Sequence, residues 1–295
     1  MSKEKRQSLR EMLDGHEIVV APGAYDGLTA RLVERAGFPA VYVTGSGVSY
    51  TRLAQPDLAL VSFSEMVSAV EYVAQAVNLP VIADGDTGYG NHLNLMRCVR
   101  EYQRAGATAI QIEDQVYPKK CGHLPGRELI STGEMVNKIR AAKDAASDPD
   151  FLVIARTDAI AVTGIDDAIT RARAYHDAGA DLLYVEGPES VSDMGTILQS
   201  VPGRHAIDMV EGGRIPLLTA SELQEIGYSL VIFPNSLTRA FAFCAEQLLS
   251  TLRQTGGTAS WLDRMCLFDD LQSLLGADEI AHLDREYGAA AEVGS

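Results

Sequence analysis

The sequence predicts an α/β fold: a closed (β/α)8 TIM barrel followed by a C-terminal helical extension. Three patterns predict it. Short apolar, β-branched runs recur along the chain, stretches of helical period separate them, and a glycine repeatedly stands a few residues ahead of a run. The runs are Ile18–Ala21, Ala40–Thr44, Pro80–Asp84, Ala109–Glu113, Leu152–Arg156, Leu182–Glu186, His205–Met209 and Leu230–Phe233. Most are continuously apolar, as parallel strands are when both faces are covered.

Between the runs, Phe63, Met66, Val67, Val70, Ala74 and Val77 share one helical face. Ile165, Ala168, Ile169, Ala172 and Tyr175 share another. Ser62 with Glu65, Ser131 with Glu134, and Thr219 with Glu222 have the spacing of a capping box, in which two side chains satisfy the free N–H groups at a helix start. Gly37, Gly106, Gly179 and Gly227 fall where a helix must stop and the chain turn back, a left-handed position that glycine adopts without steric cost. Helix, glycine and strand in repetition build a parallel sheet, and eight strands favour closure over an open doubly wound sheet. The expected division is a barrel catalytic domain over 1–255 and a helical extension over 256–295, with helical segments at Ala240–Arg253 and Trp261–Tyr287.

With 40 acidic against 25 basic residues, the net charge is −15, which excludes a general nucleic-acid binder. No apolar run approaches the ~18 residues of a membrane span, and the polar start Met1–Arg10 lacks the core of a secretion signal. Cys98, Cys121, Cys244 and Cys266 show no metal or redox spacing and fit the reduced thiols of a cytoplasmic protein. Cys98, Cys244 and Cys266 lie in helical stripes and read as small apolar core residues. No glycine-rich nucleotide loop follows a strand.

In such a barrel, chemistry sits at the carboxyl ends of the strands. Those ends are polar here: Thr44-Gly45-Ser46-Gly47, Asp84-Gly85-Asp86, Glu113-Asp114-Gln115, Arg156-Thr157-Asp158, Glu186, Asp208 with Glu211, and Asn235. A single aspartate at a strand end is ordinarily a turn former. Asp84, Asp86 and Glu113 on adjacent strands would repel one another unless a hard cation neutralised them, and an all-oxygen set suits Mg2+ or Mn2+ rather than zinc. The loop Tyr117–Arg127 sets Cys121 beside Lys119, Lys120 and His123, a setting that favours the thiolate and suits proton transfer. Its glycines and prolines suit a lid. Arg156 ends an apolar strand, where its charge needs an anion: a substrate carboxylate or Glu186.

These residues have a familiar pattern. Lys119-Lys120-Cys121-Gly122-His123, Asp84-Gly85-Asp86-Thr87-Gly88-Tyr89-Gly90, Ile112-Glu113-Asp114-Gln115 and Ala155-Arg156-Thr157-Asp158 resemble the isocitrate lyase/phosphoenolpyruvate mutase superfamily, from about Leu9 to Leu252. The length resembles its short branch of 2-methylisocitrate lyases, 2,3-dimethylmalate lyases and carboxyvinyl-carboxyphosphonate phosphorylmutase-like proteins. The resemblance implies a Mg2+-dependent barrel, in a homotetramer whose C-terminal helix is exchanged between subunits. It implies that Asp86 binds the metal while Asp57, Asp84 and Glu113 hold its waters. Tyr42, Ser46, Gly47 and Arg156 would cradle a substrate carboxylate. Lys119, Cys121, Gly122 and His123 would form the gating loop with Glu186 nearby, and Cys121 would protonate the carbanion left by bond cleavage. Tyr42 is the candidate base.

Two positions depart from the family pattern. Gly85 replaces the usual alanine between the paired aspartates, a change that is neutral or leaves more room. Asp208 replaces an asparagine that, by similarity, contacts a substrate carboxylate. Either Asp208 is protonated, or it pairs with a cation, or the substrate lacks a carboxylate there. The expected activity is cleavage of a branched 2-hydroxy di- or tricarboxylic acid to a pyruvate-type keto acid. The alternatives are a phosphonate-forming mutase, an oxaloacetate-type hydrolase and a silent dicarboxylate binder.

Overall fold

Strands form where the sequence sets its β-branched runs. The computed structural model describes residues 2–122 and 126–288. Its strands are β1 (Val19–Ala24), β2 (Val41–Val43), β3 (Val81–Asp84), β4 (Ala109–Glu113), β5 (Leu152–Thr157), β6 (Leu182–Val185), β7 (Arg204–Asp208) and β8 (Leu230–Phe233). All pair in parallel and in chain order, and β8 returns to β1 with Val19 opposite Leu230, so the sheet closes.

Alternation along each strand separates two packing layers. Ala21, Tyr42, Ile82, Ala109, Ile154, Tyr184, Ala206 and Ile232 point inward and fill the barrel. Leu9 and Leu13, from the helix Ser2–Asp14, join that interior cluster. Arg10 of the same helix bonds the Pro149 carbonyl and Asp181 ahead of β5 and β6, so the helix closes the amino end of the barrel. The outward strand residues, such as Val43, Ala83, Ile110 and Val153, pack under helix residues such as Val70, Val73, Val99 and Ile139. What remains open is the carboxyl end.

Local signals acted as expected. Gly37, Gly106, Gly179 and Gly227 have φ of 83°, 103°, 98° and 118°. Ser62/Glu65 and Thr219/Glu222 form reciprocal caps. Ser131 instead accepts from the Glu134 N–H without the return bond.

The chain divides into two compact units, Met1–Thr238 and Arg239–Ser295. The helix Ser236–Thr255 continues into the second unit, followed by a 3-10 turn at Ala259–Arg264 and helices Phe268–Leu274 and Ala277–Gly288. There, Trp261 donates to Thr251 Oγ1 at 2.9 Å and lies under the Arg264 guanidinium. Cys98 is fully buried, as expected, but Cys244 and Cys266 are exposed, and Cys266 lies outside any helix. The helix Ser236–Thr255 is amphipathic, and Cys244 lies on its apolar stripe with Phe241 and Leu248; periodicity marks such a stripe without saying what covers it.

Candidate active site

At the end of β2, Thr44 caps the short helix Gly45–Val48 by accepting from the Gly47 N–H at 3.1 Å. Ser46 donates to Asn235 Oδ1 at 2.8 Å and so ties the end of β2 to the end of β8. Asp84, ending β3, is held by two backbone donors, Gly45 N at 3.2 Å and Asp86 N at 3.1 Å. A Cβ on Gly45 would stand 2.7 Å from Asp84 Oδ2, so the approach requires glycine. Asp86 adopts a left-handed backbone, φ 47°, which aspartate tolerates better than most residues. Gly85 does not enlarge the site. A Cβ there would lie 2.7 Å from the Gln111 carbonyl and 2.8 Å from the Ile110 side chain, which occupies that space.

Two charge clusters face each other across this mouth. In the first, Lys119 Nζ donates to both Asp57 oxygens, at 2.8 and 2.7 Å, and lies 2.9 Å from Asp86 Oδ1, the latter as an ion contact without hydrogen-bond alignment. Burial pushes the Asp86 carboxyl up to about 7, and Asp84 and Asp57 add to the rise against the pull of Lys119. Burial also disfavours the Lys119 cation. Its carboxylate neighbours Asp86, Asp57, Glu113 and Asp84 outweigh that and hold it protonated well above the ordinary lysine range. The lysine next to Cys121 is therefore committed to carboxylates, and Lys120 Nζ bonds the Gly126 carbonyl at 2.8 Å.

In the second cluster, Arg156 reaches three carboxylates. It makes a two-point contact with Asp158 at 3.0 and 2.9 Å, meets Glu186 Oε2 at 3.2 Å, and lies 3.4 Å from Glu113 Oε2. Tyr184 donates to Glu186 at 2.8 Å and carries the guanidinium 5.0 Å above its ring. Arg127 Nη1 donates to Asp158 Oδ1 at 2.8 Å, the same oxygen that Arg156 Nη2 bonds. Burial alone would raise the Asp158 pKa, but Arg156 and Arg127 hold it below the usual carboxylate value. Beneath, Asp114 accepts from Thr157, Tyr175, Arg171 and the Asp158 N–H, which fixes the end of β5.

The two clusters enclose a cavity of about 40 Å³, room for a few waters and too small for a branched diacid. Tyr42, Ser46, Asp57, Asp84, Glu113 and Asp208 line it, with Lys119, Arg156 and Glu186, and Cys121 and Gly122 lie across it. A Cβ on Gly122 would overlap Arg156 Nη2 and stand 2.8 Å from Glu186 Oε1, so the loop is closed down on the guanidinium. Burial and the Asp84 charge push the Tyr42 phenol well above its ordinary value. That favours the protonated phenol, which can donate a hydrogen bond.

The sequence profile of the phosphoenolpyruvate phosphomutase family matches residues 9–253. The chain belongs to this family. As a member of the phosphoenolpyruvate mutase/isocitrate lyase superfamily, it is an enzyme whose homologues are named as lyases and mutases. It is 45% identical to 2,3-dimethylmalate lyase of Eubacterium barkeri over 95% of this chain and 96% of that one. Its fold matches oxaloacetate acetylhydrolase in complex with the inhibitor 3,3-difluorooxalacetate, with a TM-score of 0.90 at 34% identity over 96% and 97% of the two chains. It also matches phosphonopyruvate hydrolase complexed with oxalate and Mg++, with a TM-score of 0.87 at 31% identity over 96% and 99%.

Most residues expected at the site of this phosphoenolpyruvate phosphomutase family member meet at the one cavity. Asp86 sits behind Lys119 rather than in the wall, and the Gly47 N–H is taken by Thr44. His123 lies outside the described residues. Sequence reasoning did not single out Tyr184, Asp158 or Arg127 as site residues. Tyr184 was detectable in principle, because it precedes Glu186 by two residues and period-two alternation sets both on the inner face. Arg127 was not, since its partner Asp158 is adjacent only in the folded chain.

Proposed function

We propose that this chain is a carbon–carbon lyase that cleaves a branched 2-hydroxy di- or tricarboxylic acid, of the dimethylmalate or methylisocitrate kind, to a pyruvate-type keto acid and a carboxylate. The observation that carries the reading is the approach of Cys121 and Gly122 to the cavity opposite Arg156 and Glu186. The C2 hydroxyl loses its proton to a carboxylate of the cluster as the C2–C3 bond breaks. The electron pair passes to C3, and the Cys121 thiol protonates it. Arg156 and the Tyr42 hydroxyl bind the carboxylates, Ser46 ties that end of β2 to Asn235, and the closed loop excludes water.

The residues present fit a hard divalent ion, Mg2+ or Mn2+. Glu113 Oε1 is buried without a hydrogen-bond partner, and Asp57, Asp84, Asp86 and Glu113 offer only oxygen. Among the described residues, no three such groups form a ready-made cage. That suits Mg2+, which keeps waters and takes one or two carboxylates directly. Asp86 would bind it, with Asp57, Asp84 and Glu113 on its waters. When bound, the ion would supply charge stabilisation for the 2-oxo carboxylate fragment.

Incubation of the purified protein with Mg2+ and a panel of branched malates and 2-methylisocitrate tests the reading by coupled assay of keto acid. Release from at least one substrate is expected, and none from any substrate by folded protein would overturn it. The family match favours one second reading, a phosphonate-forming mutase. Phosphorus NMR with phosphonopyruvate decides it, because an unchanged spectrum removes it.

The reading includes a cytoplasmic homotetramer with exchanged C-terminal helices. In support, no described helix is long and apolar enough to cross a membrane, and the second unit exposes Phe241, Phe243, Leu267 and Phe268.

A further inference from the structure

We propose that Asp208 is a neutral carboxyl that donates a hydrogen bond to a substrate carboxylate, and so confines this chain's diacid binding to the pH range in which it keeps its proton. The proposal rests on the carboxylate-binding reading of the cavity. Asp208 ends β7, is 4% exposed and lines that cavity, and its Oδ1 has no hydrogen-bond partner among the described residues. An ionised carboxylate so placed would need a cation. It forms no ion pair among the described residues, and the Arg156 charge is already shared by Asp158, Glu186 and Glu113.

The groups facing Asp208 decide where the proton resides. From β6 and its end come Tyr184 and Glu186, from β5 Arg156 and Asp158, and from ahead of β8 Tyr228. Glu186 already has two donors, Arg156 at 3.2 Å and the Tyr184 hydroxyl at 2.8 Å. Asp208 has no ion pair among the described residues, and beside the hydrogen bond from Tyr184 its Oδ1 has no donor. Burial, then the Glu186 charge, raise Asp208 to about 8, against the pull of Arg156. A neutral carboxyl offers a substrate carboxylate a charge-assisted O–H···O bond, whereas the ionised form repels it.

Asp208→Asn is close to isosteric and cannot ionise. The first measurement is the thermal midpoint of both proteins between pH 5 and 9. An acid that keeps its proton to higher pH when folded than when unfolded stabilises the fold fully below about pH 4, and that contribution is lost as pH rises towards 8. The wild type should therefore lose midpoint more steeply than D208N; parallel curves would overturn the neutral state. Asp86 and Glu113 are common to both proteins and cancel in the comparison.

The second measurement is calorimetric binding of succinate with Mg2+. The ratio of Kd at pH 9 to Kd at pH 6 should be tenfold or more in the wild type and below threefold in D208N. Equal ratios, or no succinate binding at either pH, would overturn the contact with a carboxylate. The keto-acid assay on the substrate panel reports on the lyase reading separately, so the two can fail independently.

Discussion

Arg156 and Asp158 meet edge to edge, Nε to Oδ2 at 3.0 Å and Nη2 to Oδ1 at 2.9 Å, with the carboxylate fully buried. Two residues apart on one strand end, they form the hinge of the whole second cluster. Asp158 orients the guanidinium so that Nη1 faces Glu186, while Glu113 Oε2 lies 3.4 Å from the same Nε that bonds Asp158.

Asp158→Asn should therefore weaken both folding and catalysis. Removing one partner of a buried pair costs about 3–5 kcal/mol, read by urea denaturation at pH 7. The Asp158 pKa is depressed, so its contribution is present above about pH 4 and lost as pH falls through the lower folded value. The variant should accordingly show a shallower acid limb than the wild type. Identical acid limbs would mean that the pair does not stabilise the fold.

Asp86 is the residue through which a divalent ion should act. Millimolar Mg2+ should raise the thermal midpoint of the wild type, since a ligand at about 100 times its Kd adds about 2.7 kcal/mol. Asp86→Asn should abolish the rise. A rise of equal size in both proteins would move the ion elsewhere.

Cys121→Ala should lower kcat by about 10²- to 10⁴-fold, the usual worth of a positioned acid, with little change in KM. Steady-state kinetics of keto-acid release measures both. A variant as active as the wild type would show that the thiol transfers no proton.

Gly122→Ala tests the closed loop. The added methyl would overlap Arg156 Nη2, which cannot give way while Asp158 and Glu186 hold it. Overpacking of this kind costs about 1–3 kcal/mol. Because it arises only on closure, the loss should fall on kcat/KM by roughly 5- to 150-fold while the thermal midpoint stays within a degree or two. Unchanged kcat/KM would mean that the loop does not close this far during turnover.

The barrel was legible in the sequence because its causes are local. A β-branched run makes a strand, a serine three residues ahead of a glutamate opens a helix, and a glycine at positive φ ends one; each needs only near neighbours. The acidic mouth was legible for the same reason, since a parallel barrel sends every strand's last polar residue to one end. Gly85 and Asp208 could be flagged but not understood, because the Ile110 side chain against one and Glu186 beside the other come from different strands. Cys244 was misjudged because helical period marks a stripe without saying what covers it, and Cys266 because the chain there is not helical. The sequence alone thus determined which groups gather at the carboxyl end. Tertiary structure decided their charge states and ion pairs: Lys119 to Asp57 and Asp86, Arg156 to Asp158 and Glu186, and Asp208 to no cation among the described residues. Those depend on burial and on distances of about 3 Å between residues far apart in the chain, which no local pattern encodes.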